Sequence, residues 1–258
     1  MHDDKAMAVD VTDLEKRYGS FVAVNRITFQ VHRGEIFGFL GANGAGKSTT
    51  IRMLCGIITP TGGSGHVAGY DIVRESESIK QRIGYMSQKF SLYQDLTVGE
   101  NIDFYLGIYG VPRGFREERK EWALGMAQLQ NQREEITGSL PTGYRQRLAL
   151  GCALLHRPEI VFLDEPTSGV DPITRRSFWD FTRQLAAGGT TIFVTTHYMD
   201  EAENCGRIAL IFSGRILACD NPAGLKRAIA GDLPKPTLQD VFVRLMNSSA
   251  GARQAVAP

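Results

Sequence analysis

A glycine-rich turn between an apolar run and a predicted helix constrains this chain more than any other feature. The segment EIFGFLGANGAGKSTTIRMLCGI, residues 35–57, places the pattern Gly-x4-Gly-Lys-Ser directly after a predicted buried strand. Glycines in such a turn let backbone N–H groups close around a phosphate, and the helix start adds the positive end of its dipole. A purely structural glycine turn is the alternative, but the complete motif in this context favours a phosphate-binding loop.

Within this loop we expect Lys47 to reach the β- and γ-phosphates of a nucleotide and Ser48 to ligate magnesium. The residues predicted to bind the nucleotide are Gly41, Asn43, Gly44, Ala45, Gly46, Lys47, Ser48 and Thr49.

The segment EIVFLDEPTSGVD, residues 159–171, adds two acids at the end of a second apolar run. The run predicts a buried strand that ends at Asp164 and Glu165. Asp164 can hold magnesium through water, and Glu165 is placed to orient and polarise the water that attacks the γ-phosphate. Paired acids at a strand end can also cap a helix, but beside a phosphate-binding loop they indicate nucleotide hydrolysis.

Length and composition narrow the class of protein. With 258 residues the chain can bury one α/β core. Its 29 Lys and Arg nearly balance its 28 Asp and Glu, so the charge does not indicate a nucleic-acid partner, and none is expected. Its four cysteines lack CxxC spacing, which predicts thiols in a reducing compartment.

Nothing in the hydrophobic pattern predicts insertion into a membrane. The acidic N-terminus MHDDKAMAVD lacks the apolar stretch of a signal peptide. No window approaches the ~18 to 20 apolar residues that cross a bilayer. We therefore expect any role at a membrane to depend on a separate partner.

Apolar periodicity divides the chain into a sheet-forming part and a helical part. Strands are predicted at residues 8–13, 21–31, 35–40, 65–69, 82–86, 159–163, 190–195 and 207–212. Between about 92 and 157 the pattern is helical, which indicates a helical insert between two parts of an α/β sheet. The stretch 228–240 predicts a linker, in which Thr237 can cap a final helix.

Together with further motifs in the same order, the two segments resemble the ATP-binding cassette (ABC) ATPases. The resemblance covers nearly the whole chain. The matching motifs are LEKRYGSFVAV, GANGAGKST, YMSQKFSLY, the block before RQRLAL, LDEPTSGVD and VTTHYMDEAE. It implies an α/β fold with a P-loop NTPase (RecA-like) core, an antiparallel β subdomain and an inserted α-helical subdomain. It also implies ATP and Mg²⁺ as cofactors.

The resemblance assigns further roles by position. Gln88 would sense magnesium and the γ-phosphate, His197 would be the switch histidine that contacts the γ-phosphate, and Asp171 would belong to the D-loop. Tyr18 matches the aromatic residue on which adenine stacks. Taken singly, such residues are usually surface, structural or core residues, so their collective order carries the inference. The implied catalytic residues are Glu165, His197 and Gln88, and the implied magnesium ligands are Ser48, Gln88 and Asp164.

The segment GSLPTGYRQRLAL, residues 138–150, departs from the family pattern. In that pattern Leu-Ser-Gly-Gly-Gln crosses a head-to-tail dimer interface to the γ-phosphate of the other subunit. The matching residues here are Leu140, Pro141, Thr142, Gly143 and Tyr144. Because Pro141 has neither hydroxyl nor N–H, we hypothesise that Thr142 supplies the hydroxyl in trans, with the Gly143 N–H assisting. The alternative is that Thr142 only caps its own helix.

The family pattern also predicts how the chain is divided. The resemblance implies that residues 1–258 would form a single ABC ATPase domain. Its parts are a core with the β subdomain (1–88 and 159–227), a helical signature subdomain (89–158), and a linker with a C-terminal helix (228–258).

The Pro-containing signature, SGVDP and the closing PTLQDVFVRL resemble the subfamily that powers ABC-2-type exporters. This implies an ATP-hydrolysing motor subunit that works with a second copy or a homologous ATPase subunit. Its other partners would be transmembrane permease subunits, at the cytoplasmic face of the inner (cell) membrane. The permease contact is predicted near Phe90, Leu92 and Tyr93. Two alternatives are a soluble ABC ATPase of an assembly or maintenance system, such as an iron–sulfur scaffold, and a nucleotide-binding module that hardly hydrolyses ATP.

Overall fold

Two β-sheets and a group of helices make up the computed structural model, which describes residues 7–88, 92–230 and 235–254. The strands are β1 (Met7–Tyr18), β2 (Phe21–His32), β3 (Ile36–Leu40), β4 (Gly62–Val67), β5 (Tyr70–Asp71), β6 (Ile83–Met86), β7 (Ile160–Asp164), β8 (Thr191–Thr196), β9 (Arg207–Phe212) and β10 (Arg215–Asp220). The α-helices are α1 (Lys47–Leu54), α2 (Ser76–Lys80), α3 (Val98–Ile108), α4 (Arg113–Ala127), α5 (Thr142–Leu154), α6 (Pro172–Ala187), α7 (Pro222–Arg227) and α8 (Leu238–Gln254). Short 3-10 turns lie at Thr137–Ser139 and Glu201–Asn204.

The larger sheet brings the motif-bearing loops to one edge. Its strand order is β10-β9-β3-β8-β7-β6, and all strands are parallel except β10, which pairs antiparallel with β9. β7 and β8 are buried along their whole length, as expected of parallel strands covered on both faces. The carboxyl ends of β3, β8 and β7 are therefore neighbours, and the loops that follow these strands meet.

The smaller sheet covers one face of the larger sheet. It is antiparallel, with the order β2-β1-β4-β5. Between the sheets, the ring of Phe29 from β2 packs against Phe37 (5.7 Å between centroids) and Phe193 (6.0 Å). Burying each of these side chains contributes about 2 kcal/mol. This apolar layer fixes the smaller sheet beside the loop that follows β3.

The helices α3, α4 and α5 form the insert predicted from the sequence. α3 begins at a capping box, in which the Thr97 hydroxyl accepts from the Glu100 N–H and the Glu100 carboxylate accepts from the Thr97 N–H. The fully buried Asn101 then holds the segment before α3, because its side chain bonds both the N–H and the carbonyl of Tyr93. Apolar residues of these helices share one core with α6, α8 and the other face of the larger sheet.

The structure confirms the predicted fold class, and each of the eight predicted strands overlaps an observed one. The prediction missed β5, which has only two residues, and β10. Ser213 and Gly214 join β9 to β10 with φ angles of 48° and 74°, as a two-residue hairpin turn requires, so this turn was a usable signal. Thr237 caps α8 as predicted, since its hydroxyl accepts from the Asp240 N–H at 3.2 Å. The division into subdomains at the stated boundaries remains a prediction.

In the described ranges, no helix combines the length and the apolar character needed to span a membrane.

Candidate functional site

The loop between β3 and α1 requires glycine at three positions. A Cβ atom on Gly41 would lie 2.2 Å from the carbonyl oxygen of Ile211, and one on Gly46 would lie 2.5 Å from the carbonyl oxygen of Ala23. Gly44 and Gly46 have φ angles of 77° and 105°, which other residues rarely adopt. Gly41 and Gly46 of the sequence motif, together with Gly44 between them, therefore shape a loop that leads directly into the N-terminus of α1.

Lys47 folds back into the loop that precedes it. Its Nζ donates hydrogen bonds to the carbonyl oxygens of Gly41 (2.8 Å) and Ala42 (3.2 Å). The same Nζ lies 3.1 Å from Oε1 of Glu165, and the two side chains are 4% and 5% exposed. This buried ammonium group and the helix N-terminus together favour an anionic ligand such as a phosphate chain.

Asp164 links the loop to the neighbouring strand. Its Oδ1 accepts hydrogen bonds from Ser48 Oγ (3.1 Å) and Thr195 Oγ1 (2.6 Å). Its Oδ2 is buried and has no hydrogen-bond partner within the described ranges. A carboxylate oxygen without a donor, next to a hydroxyl, suits a hard divalent cation that prefers oxygen ligands. Ser48 and Asp164 therefore fit the predicted magnesium site.

Three side chains converge on the carboxylate of Glu165. Besides Lys47 at Oε1, Gln88 Nε2 donates to Oε2 at 3.1 Å, and His197 Nδ1 lies 3.2 Å from Oε2 without hydrogen-bond alignment. The backbone of Glu165 has a φ angle of 51°, and its N–H is held by both the hydroxyl and the carbonyl of Thr195. Strained, well-anchored residues of this kind cluster at functional sites. The structure thus brings together the three residues predicted to be catalytic.

The altered signature segment begins α5. Pro141 precedes the helix with a φ angle of −55°, and its own side chain makes no capping hydrogen bond. Thr142 is the first helical residue, and its hydroxyl accepts from Arg145 Nη2 at 3.3 Å. A Cβ atom on Gly143 would lie 3.2 Å from Cγ2 of Thr174, so glycine allows a close approach to α6. Among the described contacts, the Thr142 hydroxyl bonds the Arg145 side chain and no backbone N–H, so this arrangement does not support the alternative in which it only caps its own helix.

The flanking signature residues connect the segment to the core. Leu140 is 4% exposed and packs in the helical core, whereas Tyr144 is exposed and lies beside the guanidinium of Arg147. From the next turn of α5, Gln146 Nε2 donates to the carbonyl oxygen of Ser168 at 3.2 Å. The signature helix is thus tied to the loop that follows Glu165.

Asp171 and Tyr18 make local contacts. Asp171 caps α6, because its carboxylate accepts from the N–H groups of Ile173 and Thr174, both at 3.0 Å. Hydrogen bonding from Thr174 and Ile173 holds the pKa of Asp171 below its usual range. Tyr18 ends β1 and is 52% exposed, with Lys16 Nζ 5.2 Å from its ring centroid. An open aromatic face at this position is compatible with stacking against a planar base.

The predicted partner contact needs a correction. Leu92 is 6% exposed and packs in the helical core, so the prediction that it forms a partner-facing contact is wrong. Tyr93 is 50% exposed and lies edge-on to Phe104 at 4.6 Å between ring centroids. Phe90 lies outside the described residues. In a helix or strand the spacing of apolar residues indicates which positions are buried, but a loop has no such regular spacing. For this reason the burial of Leu92 could not be predicted from the sequence.

A groove of about 900 Å³ lies between the helical insert and the core. Its most exposed apolar residues are Ile57, Ile108 and Phe115, which are 51%, 61% and 56% exposed. His156 and Tyr109 stack on one another in its wall, with 3.8 Å between ring centroids. The prediction missed this groove because its residues come from segments distant in sequence.

Two site residues were also missed. Thr195 is fully buried and bonds both Asp164 and the backbone of Glu165, and Glu201 is 2% exposed and accepts hydroxyl hydrogen bonds from Thr167 and Thr196. Polar residues inside an otherwise apolar strand, as in FVTT before His197, were the available signal for the threonines.

Comparisons with known proteins identify the family to which the residues of this site belong. The profile of the ABC transporter family matches residues 24–168. The probable multidrug ABC transporter ATP-binding protein YbhF of Escherichia coli (strain K12) is 47% identical over 241 residues, covering 93% of this chain and 42% of that protein. The linearmycin resistance ATP-binding protein LnrL of Bacillus subtilis (strain 168) is 37% identical over 221 residues, covering 85% of this chain and 71% of that protein. The chain therefore spans less than half the length of the E. coli relative.

Among solved structures, an ATP-binding subunit of an ABC transporter superposes with a TM-score of 0.83 at 28% identity. The superposition covers 93% of this chain and 99% of that one.

Proposed function

Since the chain belongs to the ABC transporter family, we propose that it is the ATP-hydrolysing motor subunit of an ABC-2-type membrane exporter. The observation that carries the proposal is the convergence of Lys47, Gln88 and His197 on the Glu165 carboxylate, beside Ser48 and Asp164. The names of the relatives, which refer to multidrug transport and linearmycin resistance, favour export over the alternative of a soluble assembly ATPase.

The chain's own groups fit separate parts of the reaction. Lys47 and the backbone N–H groups of its loop hold the β- and γ-phosphates, and Tyr18 supplies a face for adenine. Glu165 orients the attacking water and polarises its O–H bond, while His197 contacts the γ-phosphate from the end of the neighbouring strand β8. Because Lys47 and Glu165 are paired in this structure, phosphate binding would compete for the ammonium and leave the carboxylate available to water.

Magnesium would be held by Ser48 and Asp164, with the Gln88 carbonyl oxygen as a further ligand. When bound, the ion would neutralise charge on the phosphates. The buried Asp164 Oδ2, which has no donor among the described residues, supports this assignment.

We further propose that two ATPase subunits, either two copies of this chain or one copy and a homologue, form two composite sites. In each site the segment from Leu140 to Tyr144 faces the phosphates held by the other subunit, with Asp171 at the interface. Supporting this, Tyr144 and Asp171 are exposed and the Thr142 hydroxyl is not used for capping. The N-terminus of α5 and the Gly143 N–H can then stabilise anionic charge across the interface.

The permease subunits would dock on the groove between the insert and the core, which exposes Ile57, Ile108 and Phe115, with Tyr93 on the adjoining surface. Exposed apolar residues around one concavity are typical of protein interfaces. This proposal places the chain at the cytoplasmic face of the inner (cell) membrane, as a peripheral subunit. The two ATPase subunits would close and reopen during the ATP cycle, and this motion would change the conformation of the permease.

Two measurements test the function. Purified chain should hydrolyse ATP in single-turnover conditions, and Glu165→Gln should remove hydrolysis while nucleotide binding persists. Purification from detergent-solubilised membranes should recover a transmembrane partner. Hydrolysis without any membrane partner would favour the soluble assembly ATPase, and binding without hydrolysis would favour a nucleotide-binding module.

A further inference from the structure

Glu201 is a buried acid that none of the roles above uses. It is 2% exposed and lies in the 3-10 turn after β8. Burial raises the pKa of Glu201, although two hydroxyls donate to it. An isolated buried carboxylate is costly, so its presence calls for partners that hold it in place.

Each carboxylate oxygen of Glu201 has its own hydroxyl partner. Thr167 Oγ1 donates to Oε1 at 2.6 Å, and Thr196 Oγ1 donates to Oε2 at 2.8 Å. Both threonines are buried, with 1% exposure. Short, buried hydrogen bonds to a carboxylate are stronger than bonds between neutral groups and fix the positions of both partners.

The two threonines belong to the two segments that carry the reacting groups. Thr167 lies two residues after Glu165, in the loop that continues to Asp171. Thr196 immediately precedes His197, and its hydroxyl also accepts from the Tyr198 N–H at 3.0 Å. Glu201 therefore bridges the turn that presents His197 and the loop that presents Glu165.

A third segment joins the bridge through Arg175 of α6. Its Nε lies 3.3 Å from Glu201 Oε1, and its guanidinium lies 4.7 Å from the ring centroid of Tyr198. Asp171 caps the same helix. A shift of α6 would therefore displace Asp171 and, through Arg175, also displace Glu201.

We propose that Glu201 is a positioning residue that fixes His197 relative to the loop from Glu165 to Asp171, so that both reach the γ-phosphate in one rigid arrangement. This inference rests on the proposed ATPase function. Misplacing a catalytic group by about 1 Å can cost about 100-fold in rate. Loss of Glu201 would lower turnover, whereas the affinity of the loop around Lys47 for ATP would be retained, because the described bonds of the Glu201 carboxylate go to Thr167, Thr196 and Arg175.

The test compares steady-state ATP hydrolysis by the full chain and its variants. Glu201→Gln removes the charge at nearly constant volume, and Thr167→Val and Thr196→Val each remove one hydroxyl. We expect kcat to fall about tenfold or more in each variant, with KM for ATP within about twofold of the parent. The two threonine changes combined should cost less than the product of their separate effects, because both act through Glu201.

Thr182→Val is the matched control, since Thr182 is also fully buried but its hydroxyl donates to the Phe178 carbonyl of its own helix, α6. It should leave kcat unchanged. If Glu201→Gln and both threonine variants lower only the melting temperature, as the control does, Glu201 is merely structural and the inference is overturned. If Glu201→Gln fails to fold, the two threonine variants decide the question by the same criterion. A parental chain that does not hydrolyse ATP overturns the proposed function and this inference with it.

Discussion

Lys47 and Glu165 form a buried ion pair, with Nζ and Oε1 3.1 Å apart and both side chains at most 5% exposed. Lys47 is the first residue of α1 and Glu165 follows β7, so the pair joins the phosphate loop to the end of β7. A buried charge that loses its partner is strongly unfavourable. Removing either residue would therefore leave the other charge buried without its partner and destabilise the fold.

Lys47→Met should destabilise the nucleotide-free chain, because it leaves the Glu165 carboxylate buried without its cation. We expect the free energy of unfolding to fall by about 3 kcal/mol in urea titrations. Lys80→Met is the control, since Lys80 pairs with the exposed Glu77 on the surface of α2. It should cost less than about 1 kcal/mol. Equal losses in both variants would contradict the predicted cost of leaving the Glu165 carboxylate buried without its cation.

Glu165→Gln should separate binding from turnover. The amide keeps the size of the side chain but cannot act as a base, so single-turnover hydrolysis should slow by about 100-fold or more. ATP with magnesium should then hold two chains together, because the bound nucleotide stabilises the dimer and is not consumed. Light scattering with and without ATP measures this state. A variant that stays monomeric at high ATP and magnesium, with and without its membrane partner, contradicts the composite site.

Thr142→Ala tests the hydroxyl proposed to act in trans. Because this hydroxyl bonds the Arg145 side chain and caps no backbone N–H among the described residues, the variant should lose less than about 0.5 kcal/mol of stability. Turnover should fall about tenfold or more if the hydroxyl stabilises the transferring phosphate. Ser139→Ala removes an exposed hydroxyl three residues earlier and should change neither quantity. Parental turnover in Thr142→Ala would exclude the proposed contact.

Charged substitutions at neighbouring positions should have opposite outcomes. Leu92→Glu buries a carboxylate in the helical core and should cost about 3 kcal/mol or more, seen as a lower melting temperature. Tyr93→Glu lies on the surface and should leave the fold and basal hydrolysis intact while uncoupling transport in vesicles that contain the permease. Ile108→Glu, in the groove, should behave like Tyr93→Glu. Normal transport by both surface variants would remove the proposed docking site.

His156 should make stability depend on pH. Its Nε2 donates to the Ile83 carbonyl at 3.0 Å, and burial lowers its pKa to about 4. The unfolded chain therefore takes up this proton first, and stability falls as the pH drops from about 6.5 towards 4. Allowing for partial exposure, the loss should be about 2 kcal/mol relative to His156→Gln, which does not titrate. Parallel pH profiles in urea titrations would contradict this assignment.

The sequence predicted the parts of the site that lie in short contiguous motifs. The loop from Gly41 to Thr49 and the acids Asp164 and Glu165 each follow a single strand, so their placement needed only local pattern and parallel-sheet geometry. Gln88 and His197 both lie at Glu165, as expected from the roles that the order of the family motifs assigned to them. By contrast, Leu92 was misassigned because burial in a loop depends on what packs over it. Glu201 was missed because its partners Thr167 and Thr196 become neighbours only when β7 and β8 pair.

Backbone contacts hold the phosphate loop against the start of β2 and against the turn between β9 and β10. Gly46 leaves its Cα against the carbonyl of Ala23 at the start of β2, and the Gly214 N–H donates to the Ala45 carbonyl at 3.0 Å. Tyr18 ends the strand that pairs with β2 at this same end, through the pair Tyr18 and Phe21. If Tyr18 stacks on adenine as proposed, the base and the phosphates of a bound nucleotide would be held by segments that are joined to each other through backbone contacts. Main-chain contacts would then set the distance between the adenine face and the phosphate loop. Changes in most of the surrounding side chains would leave this distance, and with it the length of ligand that fits, unaltered.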